Sequence, residues 1–220
     1  MTQFIAVHGA FRGRWYWDPL RIELERRGHG LRPVDLVGDS LDEWVASTIS
    51  AVEMAGSEPV VLVGHSMGGV VSQVAVGQLG GRVQRLVLLD SPLVEPGQRP
   101  VDISGPTQPD ESMLPPREFM VQPTPVGPEQ GFDDPSLANW VNERLRPVPM
   151  GPQLDVAPVG TGRAAATTVA FFSRTPDGFP STFARHRCEA DGIDHVVLDG
   201  FHDAPILDPG VVADLLLARL

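Results

Sequence analysis

The sequence predicts an α/β fold built on a mostly parallel six-stranded sheet with helices on both faces, and three observations predict it. Short apolar runs suited to buried strands recur at residues 4–7, 60–63, 85–90, 167–172 and 194–198. Stretches with helical apolar spacing separate the early ones, so the chain alternates β, α, β, α, β, α, β, the order of a parallel sheet. Finally, Val60-Val61-Leu62-Val63-Gly64-His65-Ser66-Met67-Gly68-Gly69 passes from strand to helix through Gly-x-Ser-x-Gly. Such a turn leaves a serine exposed at the carboxyl end of a strand.

Each element has a reason in the residues. Residues 4–7 form an apolar strand that runs into the loop His8-Gly9-Ala10-Phe11-Arg12-Gly13-Arg14. Residues 19–27 carry helix formers, with Leu20, Ile22 and Leu24 as apolar contacts, and Gly28 stops them. Residues 32–36 read as a strand, which Pro33 confines to a sheet edge because it donates no ladder hydrogen bond. Residues 41–55 are amphipathic, with Leu41, Trp44, Val45, Ile49 and Val52 on one side and Gly56 at the stop. The helix after the serine turn runs to Gly80.

From residue 91 to about residue 166 the periodicity breaks down, and 15 of the 22 prolines fall there. One short helix is expected within it, over residues 137–145. A segment this long and irregular, inside a single domain spanning residues 1–220, predicts a Pro-rich lid insertion. Met113, Phe119, Met120 and Trp140 are too apolar for a solvated linker, and with Phe11 they are expected to line the substrate pocket; a satellite core is the alternative. The core pattern resumes at residues 167–172, followed by a helix over 181–190 and a last strand over 194–198. Pro209 opens the final helix, with Val211, Val212, Leu215 and Leu216 facing inward.

Composition narrows the function. At 220 residues the chain is long enough to bury a sizeable core, and its net charge of −11 argues against a nucleic-acid partner. No run has membrane-spanning length, and Met1-Thr2-Gln3 leads straight into a strand with no export leader, so a cytoplasmic location is expected. The lone Cys188 fits a reducing compartment and a packing role. All 17 basic residues are arginine, which excludes Schiff-base and pyridoxal-phosphate enzymes and a Walker-type phosphate loop. No His, Cys or Asp spacing suggests a metal, and no cofactor is expected. The partner implied is a small molecule.

A serine hydroxyl needs a base and a group to orient that base. His202 follows the last strand, Asp177 follows the strand before it, and with Ser66 they give the chain order Ser, Asp, His. Asp177 is the expected orienting acid, and Asp90, which also ends a strand, is the alternative. The other histidines lie within the motif loops, a turn, a helix or a strand. The backbone N–H groups of Ala10 and Met67 are expected to form the oxyanion hole. Asp199 and Asp203 are expected to cap the histidine loop. Arg12 and Arg14 are expected to be solvated rather than to steer an anionic substrate.

These residues resemble the α/β-hydrolase fold superfamily over the whole chain. More closely they resemble its group of plant methylesterases, hydroxynitrile lyases and bacterial esterase-like relatives. The resemblance rests on His8-Gly9-Ala10 with Trp15-Tyr16-Trp17, on Asp35-Leu36 and Ser40-Leu41, and on Gly64-His65-Ser66-Met67-Gly68-Gly69. Leu88-Leu89-Asp90 with Pro96-Gly97, and Gly200-Phe201-His202-Asp203, complete it. It implies a sheet lacking the first two strands of the larger fold, which leaves the Pro33 strand at an edge. It also implies hydrolysis of a small to medium carboxylic ester through an acyl-enzyme on Ser66. A thioesterase releasing an acyl group from a carrier is the near alternative; a non-hydrolytic lyase, cyclase or binding relative is the distant one. Hydroxynitrile lyases of this group use a lysine and a hydroxyl-bearing residue where Ala10 stands. The chain has neither, so cyanohydrin cleavage by that route is not expected.

Overall fold

The computed structural model describes residues 2–162 and 166–220. Six strands, β1 (Gln3–Val7), β2 (Gly30–Pro33), β3 (Val60–His65), β4 (Val83–Leu89), β7 (Thr167–Phe172) and β8 (Val196–Leu198), form one sheet in the order β2-β1-β3-β4-β7-β8. Every pairing in it is parallel. The strands buried from both sides are the ones written as continuous apolar runs, β3 above all, whose six residues are all buried. Pro33 sits in the edge strand, paired in register with Ala6.

Alternation along the strands divides the interior into two cores. Ile5, Leu62, Leu86 and Leu88 face one side with residues of α2 (Leu41–Glu53) and α3 (Met67–Leu79). Phe4, Val61, Val63 and Val87 face the other with residues of α1 (Asp18–Arg26) and α9 (Pro209–Ala218). The start of α2 is fixed by a capping box in which Ser40 accepts from the Glu43 N–H and Glu43 reaches back to Ser40. Helix α3 is buried on nearly all sides, which is why its sequence is apolar all round.

The segment over residues 91–162 holds α4 (Pro100–Ile103), an antiparallel pair β5 (Met120–Val121) and β6 (Val148–Pro149), α5 (Pro135–Asn142) and α6 (Gly151–Leu154). The helix expected over 137–145 begins two residues earlier, because Asp134 caps it and Pro135 occupies its first turn. Phe132, Val141 and Leu145 join the main core from this segment. The Asp155 carboxylate accepts the Leu41 N–H at 2.8 Å and pairs with Arg117, tying the segment to the start of α2. The end of the expected lid, residues 163–165, lies outside the described residues. Helices α7 (Pro180–Asp191) and α8 (Ala204–Leu207) complete the chain. Cys188 is buried. No helix of the described residues is long and apolar enough to cross a membrane.

Candidate active site

Ser66 stands between β3 and α3 with φ 51° and ψ −127°, a backbone conformation that costs a non-glycine residue about 1–3 kcal/mol. Its neighbours explain why the turn closes this tightly. A Cβ on Gly64 would lie 2.5 Å from Gly69 Cα and 2.6 Å from Ser72 Oγ, and one on Gly68 would overlap the carbonyl oxygens of Val7 and His8. The Ser66 N–H donates to Leu89 O at 3.1 Å, fixing the turn against the end of β4. Among the described residues three non-glycines have positive φ: Phe11, Ser66 and Asp90. They follow β1, β3 and β4, which are adjacent in the sheet.

His202, 7% exposed, lies between β8 and α8. Its Nδ1 is 2.5 Å from Asp90 Oδ2, so Nδ1–H donates to the carboxylate and Nε2 remains the acceptor. Asp90 follows β4 directly and receives three further bonds. The Phe172 N–H donates to Oδ1 at 3.1 Å, and the hydroxyls of Thr175 and Ser181 donate to Oδ2 at 2.7 and 2.9 Å. Burial pushes the Asp90 carboxyl up, but the His202 bond and charge and the Thr175 and Phe172 bonds together hold it below the usual range. The expected acid was Asp177, and the structure corrects this. Asp177 is exposed in the turn before α7 and makes no hydrogen bond or ion pair among the described residues. The loop after β7 instead points the Thr175 hydroxyl inward, as a donor to Asp90 rather than a carboxylate for His202.

Two further buried groups support the histidine loop. His65 stacks on Tyr16 with ring centroids 4.8 Å apart and lies 4.5 Å from the His202 ring. Its Nε2 is 2.9 Å from the His202 carbonyl, a bond that requires the proton on Nε2, while its Nδ1 is buried with no partner. Arg12, expected to be solvated, is instead only 10% exposed and forks onto Asp203, itself 2% exposed, at 2.9 and 3.1 Å. Asp203 is the N-cap residue just before α8, but its carboxylate makes no capping bond and is held by Arg12 instead. Burial pushes the Asp203 carboxyl up, and the Arg12 guanidinium and the adjacent His202 outweigh it and hold it low. Asp199 accepts from Ser173 at 3.0 Å at the far end of the same loop.

Burial, with His202 nearby, pushes the His65 imidazole down to about 3, against histidine's ordinary 6.5. Between those values the unfolded chain binds a proton on this residue that the folded chain does not. Stability is therefore expected to fall as pH falls through that window, by up to about 1.4 kcal/mol per pH unit from His65 alone. Carboxyls held below their ordinary values, Asp90, Asp102, Asp110, Asp155 and Asp203 from 3.8 and Glu43 from 4.5, lose their contribution as pH falls through and below those values. His8, also held below 6.5, acts in the same window as His65. Urea unfolding at about pH 7.0, 6.2 and 5.5 therefore reads the histidines, and His65→Gln is expected to flatten the slope. An unchanged slope in that variant would assign the effect elsewhere.

Ser66, His202, Ala10 and Met67 line one cavity of about 410 Å³. Met67 is the first residue of α3, so its N–H has no intrahelical acceptor and is available to an oxyanion. Half of the lining residues come from the segment over 91–166, including Pro100, Val126 and Met150. Of the residues expected at the substrate pocket, Phe11 is among those lining this cavity and the others are not. Met113, Phe119 and Met120 are 79%, 49% and 45% exposed and lie outside the lining, and Trp140 packs edge-on against Trp15 at 5.2 Å. Val121, next to Met120 in β5, does line the cavity, so the neighbours of the expected residues rather than the residues themselves build this part of the wall. Among the described residues no cluster of His, Cys, Asp and Glu could hold a metal ion. What the arrangement supplies is a half-buried hydroxyl on a strained turn, an imidazole oriented by a carboxylate, and apolar walls.

Comparison with known proteins supports the fold. Residues 4–215 match the model of the alpha/beta hydrolase family. Methylesterase 7 of Arabidopsis thaliana is 31% identical over 100 residues, covering 40% of this chain and 38% of that protein. The matched parts span between 33% and 53% of the length of the curated relatives. An extracellular alpha/beta-hydrolase from a Paenibacillus species superposes with a TM-score of 0.78 at 18% identity, covering 100% of this chain and 99% of that one. A methylesterase from Arabidopsis superposes with a TM-score of 0.75 at 22% identity, over 99% and 98% of the two chains.

Proposed function

The chain belongs to the alpha/beta hydrolase family, and from that premise we propose that it is a serine hydrolase cleaving small to medium carboxylic esters. The observation that carries this reading is the His202–Asp90 hydrogen bond at a cavity that Ser66 also lines. In the proposed cycle His202 Nε2 takes the Ser66 proton as Oγ attacks the ester carbonyl, and Asp90 stabilises the resulting imidazolium. The N–H groups of Ala10 and Met67 hold the oxyanion of the tetrahedral intermediate. His202 returns the proton to the departing alcohol, leaving an acyl-Ser66 ester that water hydrolyses by the same steps in reverse roles.

The apolar walls of the 410 Å³ cavity suit an acyl or aryl group of modest size rather than a polymer. The methylesterase names among the relatives point the same way, toward esters with a small alcohol. In this reading the segment over residues 91–166 is the lid of a single domain, supported by its share of the cavity wall. A cytoplasmic location rests on the single cysteine.

The test is covalent. A fluorophosphonate probe is expected to add one adduct, located at Ser66 by peptide mass spectrometry and missing from Ser66→Ala. Alongside it, turnover of aryl esters and thioesters of increasing acyl length is expected to peak at short to medium chains. A folded protein that neither takes up the probe nor hydrolyses any member of the panel would end the serine-hydrolase reading.

A further inference from the structure

Asp90 Oδ2 is a crowded oxygen. His202 Nδ1, the Thr175 hydroxyl and the Ser181 hydroxyl all donate to it, at 2.5, 2.7 and 2.9 Å. Among the described residues Oδ1 receives the Phe172 N–H alone. One carboxylate oxygen offers about two lone-pair sites, so the two hydroxyls compete with the imidazole for charge that cannot serve all three in full.

Both hydroxyls come from one stretch of chain, which runs from the end of β7 into the first turn of α7. Pro176 and Pro180 fix φ at two of its positions and stiffen it. Thr175 and Ser181 are buried, and among the described residues each hydroxyl donates to Asp90 and to no other group. Burying a hydroxyl is costly unless it is bonded, and Asp90 supplies the bond in both cases. Between them Phe179 lies against the His202 ring, with centroids 4.8 Å apart, so the same stretch touches both members of the His202–Asp90 pair. Neither Thr175 nor Ser181 lines the catalytic cavity, so contact with a substrate does not account for them.

We propose that Thr175 and Ser181 are positioning residues that act through Asp90: their hydroxyls aim Oδ2 at His202 and draw charge off it, so that the carboxylate orients the imidazole without holding it protonated. A hydrogen bond to an anion spreads its charge, and an anion with fewer donors binds a neighbouring cation more firmly. Removing either hydroxyl therefore strengthens the hold of Asp90 on an imidazolium at His202. The part these residues play in turnover rests on the ester hydrolysis proposed above, whereas their effect on the His202–Asp90 pair does not.

The other ionisable groups around the pair leave this effect readable. His65 lies 4.5 Å from the His202 ring and Tyr16 stacks on His65, while Asp203 adjoins His202 and is paired with Arg12. Burial keeps His65 neutral and the Tyr16 hydroxyl protonated, and the Arg12–Asp203 pair stays charged, so none of the four changes charge near pH 7. In the stretch itself Arg174 turns to Asp199 and the Phe201 ring, and Asp177 is exposed.

NMR titration of the histidine rings in the full chain tests the proposal, with the His202 signal assigned by its loss in His202→Gln. Thr175→Val and Ser181→Ala are each expected to raise the midpoint at His202 by about 0.5 pH unit, and together by about 1 pH unit. Thr175→Ser, which keeps the hydroxyl, is expected to titrate as the parent protein does. If the double variant does not fold, the single variants carry the same test. The acid side of kcat/KM for an aryl ester is expected to move with the midpoint while KM at high pH stays within about twofold, a pattern that loss of packing alone would not produce. A midpoint unmoved in both single variants, or one that moves as far in Thr175→Ser as in Thr175→Val, would overturn the proposal. A displaced midpoint in a chain that hydrolyses no ester would retire the ester-hydrolase reading and keep this one.

Discussion

Asp90→Asn is expected to lower kcat by about 10³–10⁴, whereas Asp177→Asn leaves turnover close to that of the parent protein. The difference follows from one bond. Asp90 Oδ2 accepts from His202 Nδ1, and this holds the ring with Nε2 unprotonated and ready to take the serine proton. An asparagine amide in that place donates to Nδ1, which moves the ring proton to Nε2 and removes the base. Thr175 and Ser181 also donate to Asp90 Oδ2 and would meet an amide N–H less well, so a modest loss of stability is expected beside the loss of turnover. Steady-state kinetics on both variants, with urea unfolding as a control, decides the matter. Full activity in Asp90→Asn with loss in Asp177→Asn would restore the assignment that the chain order first suggested.

Arg12→Gln and Asp203→Asn are each expected to destabilise the protein by about 3–5 kcal/mol, the usual consequence of leaving one member of a buried ion pair alone. The pair is two-toothed and nearly dry, at 10% and 2% exposure. It joins the loop carrying Ala10 and Phe11 to the residue next to His202, so each single change is also expected to reduce turnover by loosening two halves of the site at once. Arg12→Met combined with Asp203→Leu is expected to recover most of the stability, because two apolar groups leave no uncompensated charge. Turnover in the double variant is the informative reading: recovery with stability would make the pair a matter of folding alone, while continued loss would show that it positions the loops. If both single variants unfold within about 1 kcal/mol of the parent, the pair is not the clamp its geometry describes.

The fold was legible because its signals are local. Strands such as residues 60–63 and 167–172 are short apolar runs, Pro33 marks an edge, and the glycines around Ser66 report a close approach that the structure contains. The proposed base was legible for the same reason, since His202 stands in a short loop after the last strand. The carboxylate that His202 meets was not, because Asp90 and Asp177 both follow strands and only tertiary packing distinguishes them. Thr175 and Ser181, both hydroxyl residues flanking Asp177, are the faint signal that could have shown this loop to be a donor set. Arg12–Asp203 was missed because the partners are 191 positions apart, and alone Arg12 reads as a solvated charge and Asp203 as a loop cap. Residues such as Met113 and Trp140 were misplaced because composition shows that a segment is apolar without showing which way each side chain turns.

Phe11, Ser66 and Asp90 hold their positive φ values beyond the carboxyl ends of three neighbouring inner strands, so the strained side-chain positions among the described residues gather at one end of the sheet. A glycine at Phe11 or Ser66 would relax that backbone while deleting part of the cavity wall or the proposed nucleophile. Selection that rewards folding alone would therefore drift toward disarming the protein. In a library scored separately for soluble yield and for turnover, the two rankings should part company at these positions first.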